Sequence, residues 1–416
     1  MAVTVEMTPI AGGVTAAAGW RAGTAACGIK AFTAGASALP GDARDDLAVI
    51  ASDGLCDAAG VFTTNRVKAA PVVIDHLHLQ QNRVQAIVVN SGNANACTGA
   101  QGFKDALLMA KLTADRLDLD PPQVLVASTG VIGRYLPMDA VKRGIADACG
   151  GLSAEGGDHA ARAIMTTDTR PKTAGYEVDL GGVAVRVGGI AKGAGMIHPD
   201  LATMLAFVTT DAAVEPGFLG SIVKRVADRS FNRLTIDGDT STNDTFLLLA
   251  NGAAGNAPVR PGTPEAEALE RALQAVAREL SRAIAMDGEG ATRLITVHVA
   301  GATDEAQAAL AARTVARSPL VKSAIHGGDP NWGRIVSALG YSGAELALDR
   351  LRVTIGDLEV FAQGTGVPAD LEAVRRTFEQ PEIEIRAELG LGEGEAEAWG
   401  CDLSEEYVQI NAEYTT

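Results

Sequence analysis

Lys192-Gly-Ala-Gly-Met-Ile-His-Pro-Asp-Leu-Ala-Thr203-Met-Leu-Ala-Phe-Val208 lies almost at the middle of the 416-residue chain. A glycine-rich turn with one lysine passes through His198-Pro199-Asp200 into an apolar run, and the one hydroxyl inside that run belongs to Thr203. One reading is purely structural: Gly193 and Gly195 make a tight turn into a buried strand, where Thr203 is a β-branched strand former. The other is chemical. A threonine hydroxyl is a weak nucleophile until a base takes its proton, and a chain cut just before Thr203 would create an α-amine as that base. An α-amine titrates near ~7.7–8.0, so a useful fraction of it is neutral at cellular pH and no histidine is required.

The whole stretch resembles the K-G-x-G-M-I-x-P-x-x-A-T-M-L segment of the ornithine acetyltransferase family, with Ala194 and Asp200 at variable positions. The resemblance implies self-cleavage of the Ala202–Thr203 bond and a new amino-terminal threonine as nucleophile. It implies a fold of the α+β class, an α/β layered sandwich of the ornithine acetyltransferase and self-processing aminopeptidase type, with a smaller α+β carboxyl-terminal domain.

Nearly half the residues are apolar, and 416 residues suffice for two or three cores. A formal charge of −16 argues against a phosphate-backbone partner. The cysteines Cys27, Cys56, Cys97, Cys149 and Cys401 are odd in number and never spaced C-x-x-C, which fits a reducing compartment. Neither a signal peptide nor a membrane-spanning apolar run is expected, and the cytoplasm is the expected location.

Toward the amino terminus, Leu47–Ala51 and Gly60–Thr64 read as two strands, and Val72–Asp75 reads as a third. His76 and His78 would then share one face, but with no third ligand nearby they are taken as strand-end histidines and not as a metal site. Gln85–Val89 is a buried strand ending in Asn90-Ser-Gly-Asn-Ala-Asn-Ala-Cys-Thr-Gly99, a turn polar enough to need partners. Apolar spacing predicts a helix over 104–118. The strand 123–127 ends in Ser128-Thr129-Gly130. This is either a simple strand-ending turn or a hydroxyl and an N–H aimed at an oxyanion, each such donor worth ~3–4 kcal/mol. In the resembling family the matching Thr-Gly, here Thr129 and Gly130, forms the oxyanion hole, and the matching threonine of Met165-Thr-Thr-Asp-Thr169, here Thr166, contacts substrate.

Strands over 176–180 and 183–187 lead into the central stretch, and beyond it an amphipathic helix runs from Phe218 to about Ser230. Asp237, Asp239 and Ser241 occupy positions one, three and five of a calcium loop, but Thr242 and Leu248 fail the glycine and glutamate positions, so Gly238–Asp244 is read as a wall-forming turn. Thr263 and Pro264 start a helix ending at Asp287-Gly-Glu-Gly290. The resemblance gives Glu289 to the amino-acid substrate. It also returns the carboxyl terminus to the active site through Asn411 and Thr416. A composition shift near 290 divides a catalytic region, 1–290, from an α+β region, 291–416.

The resemblance covers Gly19 to Thr416. It implies transfer of an acetyl group from N2-acetylornithine to L-glutamate, with Lys192 charged to meet a substrate carboxylate. No cofactor is expected. Acetyl-CoA is left open as a co-substrate, and alpha and beta fragments of one precursor are expected in an α2β2 assembly. Two rivals stand beside this reading. One is a self-processing amidohydrolase or aminopeptidase that uses water as acceptor. The other is a non-enzymatic amino-acid or nucleotide binder, although no G-x-x-x-x-G-K-[ST] string supports a nucleotide.

Overall fold

The computed structural model describes residues 7–34, 44–81, 83–198 and 204–413. The larger sheet comprises β1 (Met7–Pro9), β2 (Trp20–Ala25), β3 (Leu47–Phe62), β4 (Val84–Asn93), β5 (Val124–Val131), β6 (Lys172–Asp179), β7 (Ala184–Lys192), β8 (Leu205–Thr210) and β9 (Thr245–Ala250). The strand order is β1-β6-β7-β8-β9-β3-β4-β5, with β2 also paired to β3. β3 serves two neighbourhoods. Its residues 47–51 pair with β2 and β4, while 57–62 pair with β9, and the register slips between Ala51 and Cys56.

The central strands are fully buried, and their side chains divide by period two between two cores. Ala206, Val208, Phe246 and Leu248 face the helices Phe218–Asp228 and Pro264–Met286, whose stripe includes Leu273, Val276, Leu280 and Ile284. Leu205, Phe207, Leu247 and Leu249 instead meet Ile50, Ile87, Val89 and Leu125 of the other half of the sheet. The far side of that half packs on the helices Gly99–Leu117 and Met138–Gly150 through Met109, Val141 and Ile145. The result is a layered helix–sheet–sheet–helix sandwich within a mixed α+β fold.

A second sheet comprises β10 (Leu294–Ala302), β11 (Arg352–Ile355), β12 (Leu358–Ala362), β13 (Thr365–Gly366), β14 (Glu382–Glu388) and β15 (Gly394–Cys401), in the order β13-β12-β11-β14-β10-β15. The helices Glu305–Arg317, Pro319–Gly327 and Trp332–Gly340 contribute to its own core. Leu294, Trp399 and Cys401 join the larger core instead, which ties the two bodies together.

Three sequence expectations are corrected. Val72–Asp75 is part of the helix Ala70–Leu79, because Pro71 sits in its first turn and Val72, Ile74 and His78 find burial there. Positions two apart on a helix lie on different faces: His78 is buried with Nδ1 2.7 Å from the Val124 carbonyl, while His76 is exposed and stacks on Phe62. The strands expected at 47–51 and 60–64 are one strand, since the polar interval Ser52–Asp57 is carried through as a register shift and not as a turn. The predicted 104–118 helix begins earlier, at Gly99.

Phe207→Ala, at a fully buried position of β8, is expected to cost ~3–5 kcal/mol. Val73→Ala, on the exposed side of its helix, should change stability by no more than ~0.5 kcal/mol. Urea unfolding midpoints compare the two.

Candidate active site

Several strand ends and loops converge on a cavity of about 260 Å³. The end of β5 supplies Thr129 and Gly130, and the end of β7 supplies Lys192. Met204 and the first residue of β8, Leu205, form part of its wall. Thr166, Glu289 and Asn411 line the same cavity, with Asp237, Asp239, Asp244 and Tyr407. Thus Thr129, Gly130, Thr166, Lys192, Glu289 and Asn411, taken from separate stretches of sequence, come together. Ala202, Thr203 and Thr416 lie outside the described residues. The described residues flanking the proposed cut are held firmly: Leu205 is the register partner of Lys192, and the Met204 carbonyl accepts the Thr245 N–H at 2.9 Å.

The run expected as a turn from Asn90 begins as the last residues of β4, which pair with Ser128–Gly130, and with Asn243 it holds the end of β5. Ser128 Oγ donates to Asn90 Oδ1 at 2.6 Å, and Asn243 Nδ2 donates to the carbonyls of Ala94 (2.6 Å) and Ser128 (2.8 Å). Asn95 accepts from Thr98 and donates to Gly102 O, both at 2.8 Å. These buried amides mostly bond to protein partners, so their role is to position Thr129 and Gly130. Gly130 has φ 129°, and a Cβ there would lie 2.2 Å from the Gly92 carbonyl carbon. Only glycine fits.

Lys192 is buried, and its Nζ donates to Thr166 Oγ1 at 2.8 Å and to Thr129 Oγ1 at 3.3 Å. Burial pulls its pKa below the ordinary lysine value; Asp168 opposes this, Lys172 adds to it, and Glu289 and Asp244 oppose it. Behind Lys192 stands an ion-pair network that the sequence reading overlooked. Lys172 Nζ lies 2.6 Å from both Asp168 Oδ1 and Asp287 Oδ2, with all three side chains at most 3% exposed. Asp168 also accepts the N–H of Gly193 at 2.7 Å and of Thr166 at 3.0 Å. Burial alone would raise its pKa, but Lys172, Lys192 and the Gly193 N–H outweigh that and hold it at about 2. The one visible trace of this network was the four-residue spacing of Asp168 and Lys172. Asp287, more than a hundred residues away, had no local signature.

The opposite wall is acidic. Asp237 accepts from the N–H groups of Met196 (2.6 Å), Ile197 (2.8 Å) and Asp239 (3.1 Å), which clamps the glycine-rich stretch to the 237–244 turn. Burial nevertheless raises its pKa. Asp244 is buried more deeply, its Oδ2 has no hydrogen-bond partner, and burial raises its pKa well above the carboxylate range. Gly195 makes room for Glu289: a Cβ at 195 would sit 2.3 Å from Glu289 Oε2. Glu289 Oε2 accepts from Asn411 Nδ2 at 2.8 Å. His198 is no candidate base here, because burial and the cations Arg313 and Arg317 lower its pKa to about 4 while its ring pairs with Thr235 and Arg313.

Chemically, the cavity offers one buried ammonium beside two hydroxyls, and carboxyl groups across from it. This arrangement suits a small ligand carrying both a carboxylate and an amine. Among the described residues no three His, Cys, Asp or Glu side chains gather as a metal-binding group.

The sequence model of the ArgJ family matches residues 21–416. Among curated proteins, the chain is 51% identical to the arginine biosynthesis bifunctional protein ArgJ of Symbiobacterium thermophilum, over 98% of this chain and 99% of that protein. It is 47% identical to the protein of the same name from Dehalococcoides mccartyi, over 97% and 98% respectively. Among solved structures, that of arginine biosynthesis bifunctional protein argJ from Bacillus halodurans is 41% identical and covers 50% of this chain and 98% of its own, with a TM-score of 0.49.

Asp168→Asn is expected to cost ~3–5 kcal/mol, since it leaves the buried Lys172 cation with one carboxylate. The pH dependence follows from a folded pKa of about 2 against an ordinary 3.8. A depressed pKa stabilises the fold at all pH above the unfolded value, and that contribution, about 2 kcal/mol, disappears as pH falls from about 4 toward 2. Unfolding free energies measured across that window should fall more steeply for the unaltered protein than for Asp168→Asn.

Proposed function

This chain belongs to the ArgJ family, and from that membership and the side chains of the cavity we propose that it transfers an acetyl group from N2-acetylornithine to L-glutamate in arginine biosynthesis. One observation carries the assignment to this cavity: Thr129, Gly130, Thr166, Lys192, Glu289 and Asn411 meet there beside Met204 and Leu205. The reading includes self-cleavage of Ala202–Thr203, leaving fragments 1–202 and 203–416 folded together, and an α2β2 assembly in the cytoplasm. Among the described residues no helix is long and apolar enough to cross a membrane. Acetyl-CoA is included as a second donor, which accords with the word bifunctional in the relatives' names. No resident cofactor is needed.

The chemistry proceeds in two displacements. Thr203 Oγ bonds to the acetyl carbonyl carbon as its proton passes to the Thr203 α-amine. The carbonyl oxygen becomes negative and draws on the Thr129 hydroxyl and the Gly130 N–H. The Lys192 ammonium, already donating to Thr129 Oγ1, strengthens that hydroxyl as a donor. The carbon–nitrogen bond then breaks, the amine returns its proton to the leaving nitrogen, and ornithine departs from an acetyl ester of Thr203. The glutamate amine attacks that ester and gives a proton to the Thr203 α-amine, the carbon–oxygen bond breaks, and that proton passes to the departing Thr203 Oγ. Two N–H groups of Lys192 are spent on Thr129 and Thr166, and the third is available to a substrate carboxylate. Glu289 faces an amino group.

Intact mass spectrometry should find two fragments in the purified protein and one unbroken chain in Thr203→Ala. Brief incubation with N2-acetylornithine should add one acetyl group to the 203–416 fragment. Ornithine release that continues beyond one equivalent per enzyme without glutamate would identify water as acceptor and overturn the transferase reading. An intact chain that turns over normally would overturn the nucleophile assignment.

Thr129→Val removes one oxyanion donor and is expected to lower kcat by ~100-fold or more while cleavage products still co-purify. Steady-state assays with both substrates measure it.

A further inference from the structure

The helix Glu405–Glu413 brings Tyr407 and Asn411 to the cavity, yet none of its residues is buried. A nine-residue helix without a buried apolar face has little stability of its own, so its position depends on the contacts that anchor it. Those contacts are polar. Ser404 Oγ donates to the Gly290 carbonyl at 2.6 Å, Asn411 Nδ2 donates to Glu289 at 2.8 Å, and the Tyr407 hydroxyl meets the Asp237 carboxylate.

The strongest anchor lies just before the helix. Asp402 has a fully buried side chain, and its two oxygens accept from Thr292 N (2.8 Å), Thr292 Oγ1 (2.6 Å), Arg293 N (2.9 Å) and His326 Nδ1 (2.7 Å). His326 stands in the helix Pro319–Gly327 of the second sheet's layer. Its other ring nitrogen, Nε2, lies 3.3 Å from Glu405 Oε2, in the first turn of the tail helix. One imidazole therefore joins a buried carboxylate to the start of the helix.

We infer that Asp402 and His326 are positioning residues, which dock the Glu405–Glu413 helix so that Tyr407 and Asn411 complete the cavity wall. Neither touches the cavity. They act through the backbone between 402 and 407, while Asn411 shares Glu289 with the amino group of the bound substrate. Docking of the helix and substrate binding are coupled through that carboxylate, so a ligand that engages Glu289 also orders the tail. The coupling to substrate rests on the activity proposed above; the docking rests on the contacts alone.

Hydrogen exchange of the full cleaved protein, followed by peptide mass spectrometry, tests both parts. His326→Ala should speed exchange of peptides within 405–413 by about tenfold while β10 and β15 stay protected. It should raise KM for N2-acetylornithine about tenfold with kcat within about twofold, the signature of lost uniform binding. His326→Asn, whose amide can still donate to Asp402, should recover part of both effects. If His326→Ala folds poorly, Glu405→Gln, at a residue 94% exposed, should still speed tail exchange measurably. N2-acetylornithine should slow tail exchange in the unaltered protein. Tail exchange unchanged in His326→Ala and in Glu405→Gln overturns the docking role, and kcat and thermal midpoint falling together without a KM change also overturn it. Failure of the unaltered protein to turn over N2-acetylornithine would strike the proposed function instead, leaving the exchange comparison to decide the docking role.

Discussion

A buried carboxylate, Asp168, holds the site together. It binds the Lys172 ammonium at 2.6 Å and the backbone N–H groups of Gly193 and Thr166 at 2.7 and 3.0 Å. Each bond fixes a different part of the cavity. Thr166 is turned toward Lys192, the glycine-rich stretch leaves β7 at a defined angle, and Lys172 is drawn to Asp287, two residues before Glu289. A charge buried this deeply is tolerable only when its partners are all in place, so the network imposes one geometry on three segments of chain.

That constraint also shapes the electrostatics. Lys192 is left as the cation of the cavity wall, with its charge partly offset by Asp168 from behind. Across the cavity, burial raises the pKa values of Asp237 and Asp244, while three backbone N–H groups hold the Asp237 carboxylate in place. A small zwitterion entering this space exchanges water for one fixed ammonium, two hydroxyls and a glutamate already oriented by Asn411. Orientation, more than total charge, is what the cavity provides.

Much of this was legible from residues alone. Strands β4, β5, β6 and β7, and the helices Phe218–Asp228 and Pro264–Met286, followed from periodicity and capping, including the Thr263 hydroxyl accepting the Ala266 N–H. Short apolar runs were harder. Val72–Asp75 has strand-forming residues, yet Pro71 and the packing of Val72 and Ile74 made it helical, and His76 and His78 parted company as a result. The Asn90–Gly99 run announced that its polar groups needed partners; which partners, Ser128 and Asn243, depended on chain segments far away in sequence.

Local sequence determined which residue types were available at each turn: the lysine ahead of the glycines, Thr129-Gly130 at a strand end, Glu289 between two glycines. Periodicity likewise determined that the first two lie at the ends of buried strands and the third just past a helix, because alternation and capping are properties of neighbouring residues. Tertiary structure alone decided that Lys172 joins Asp168 to Asp287, that Asp244 is almost fully buried in the cavity wall, and that a polar tail helix docks through Asp402 and His326. Ion pairing and desolvation depend on distance in space, and no spacing along the chain encodes a contact between residues more than a hundred positions apart.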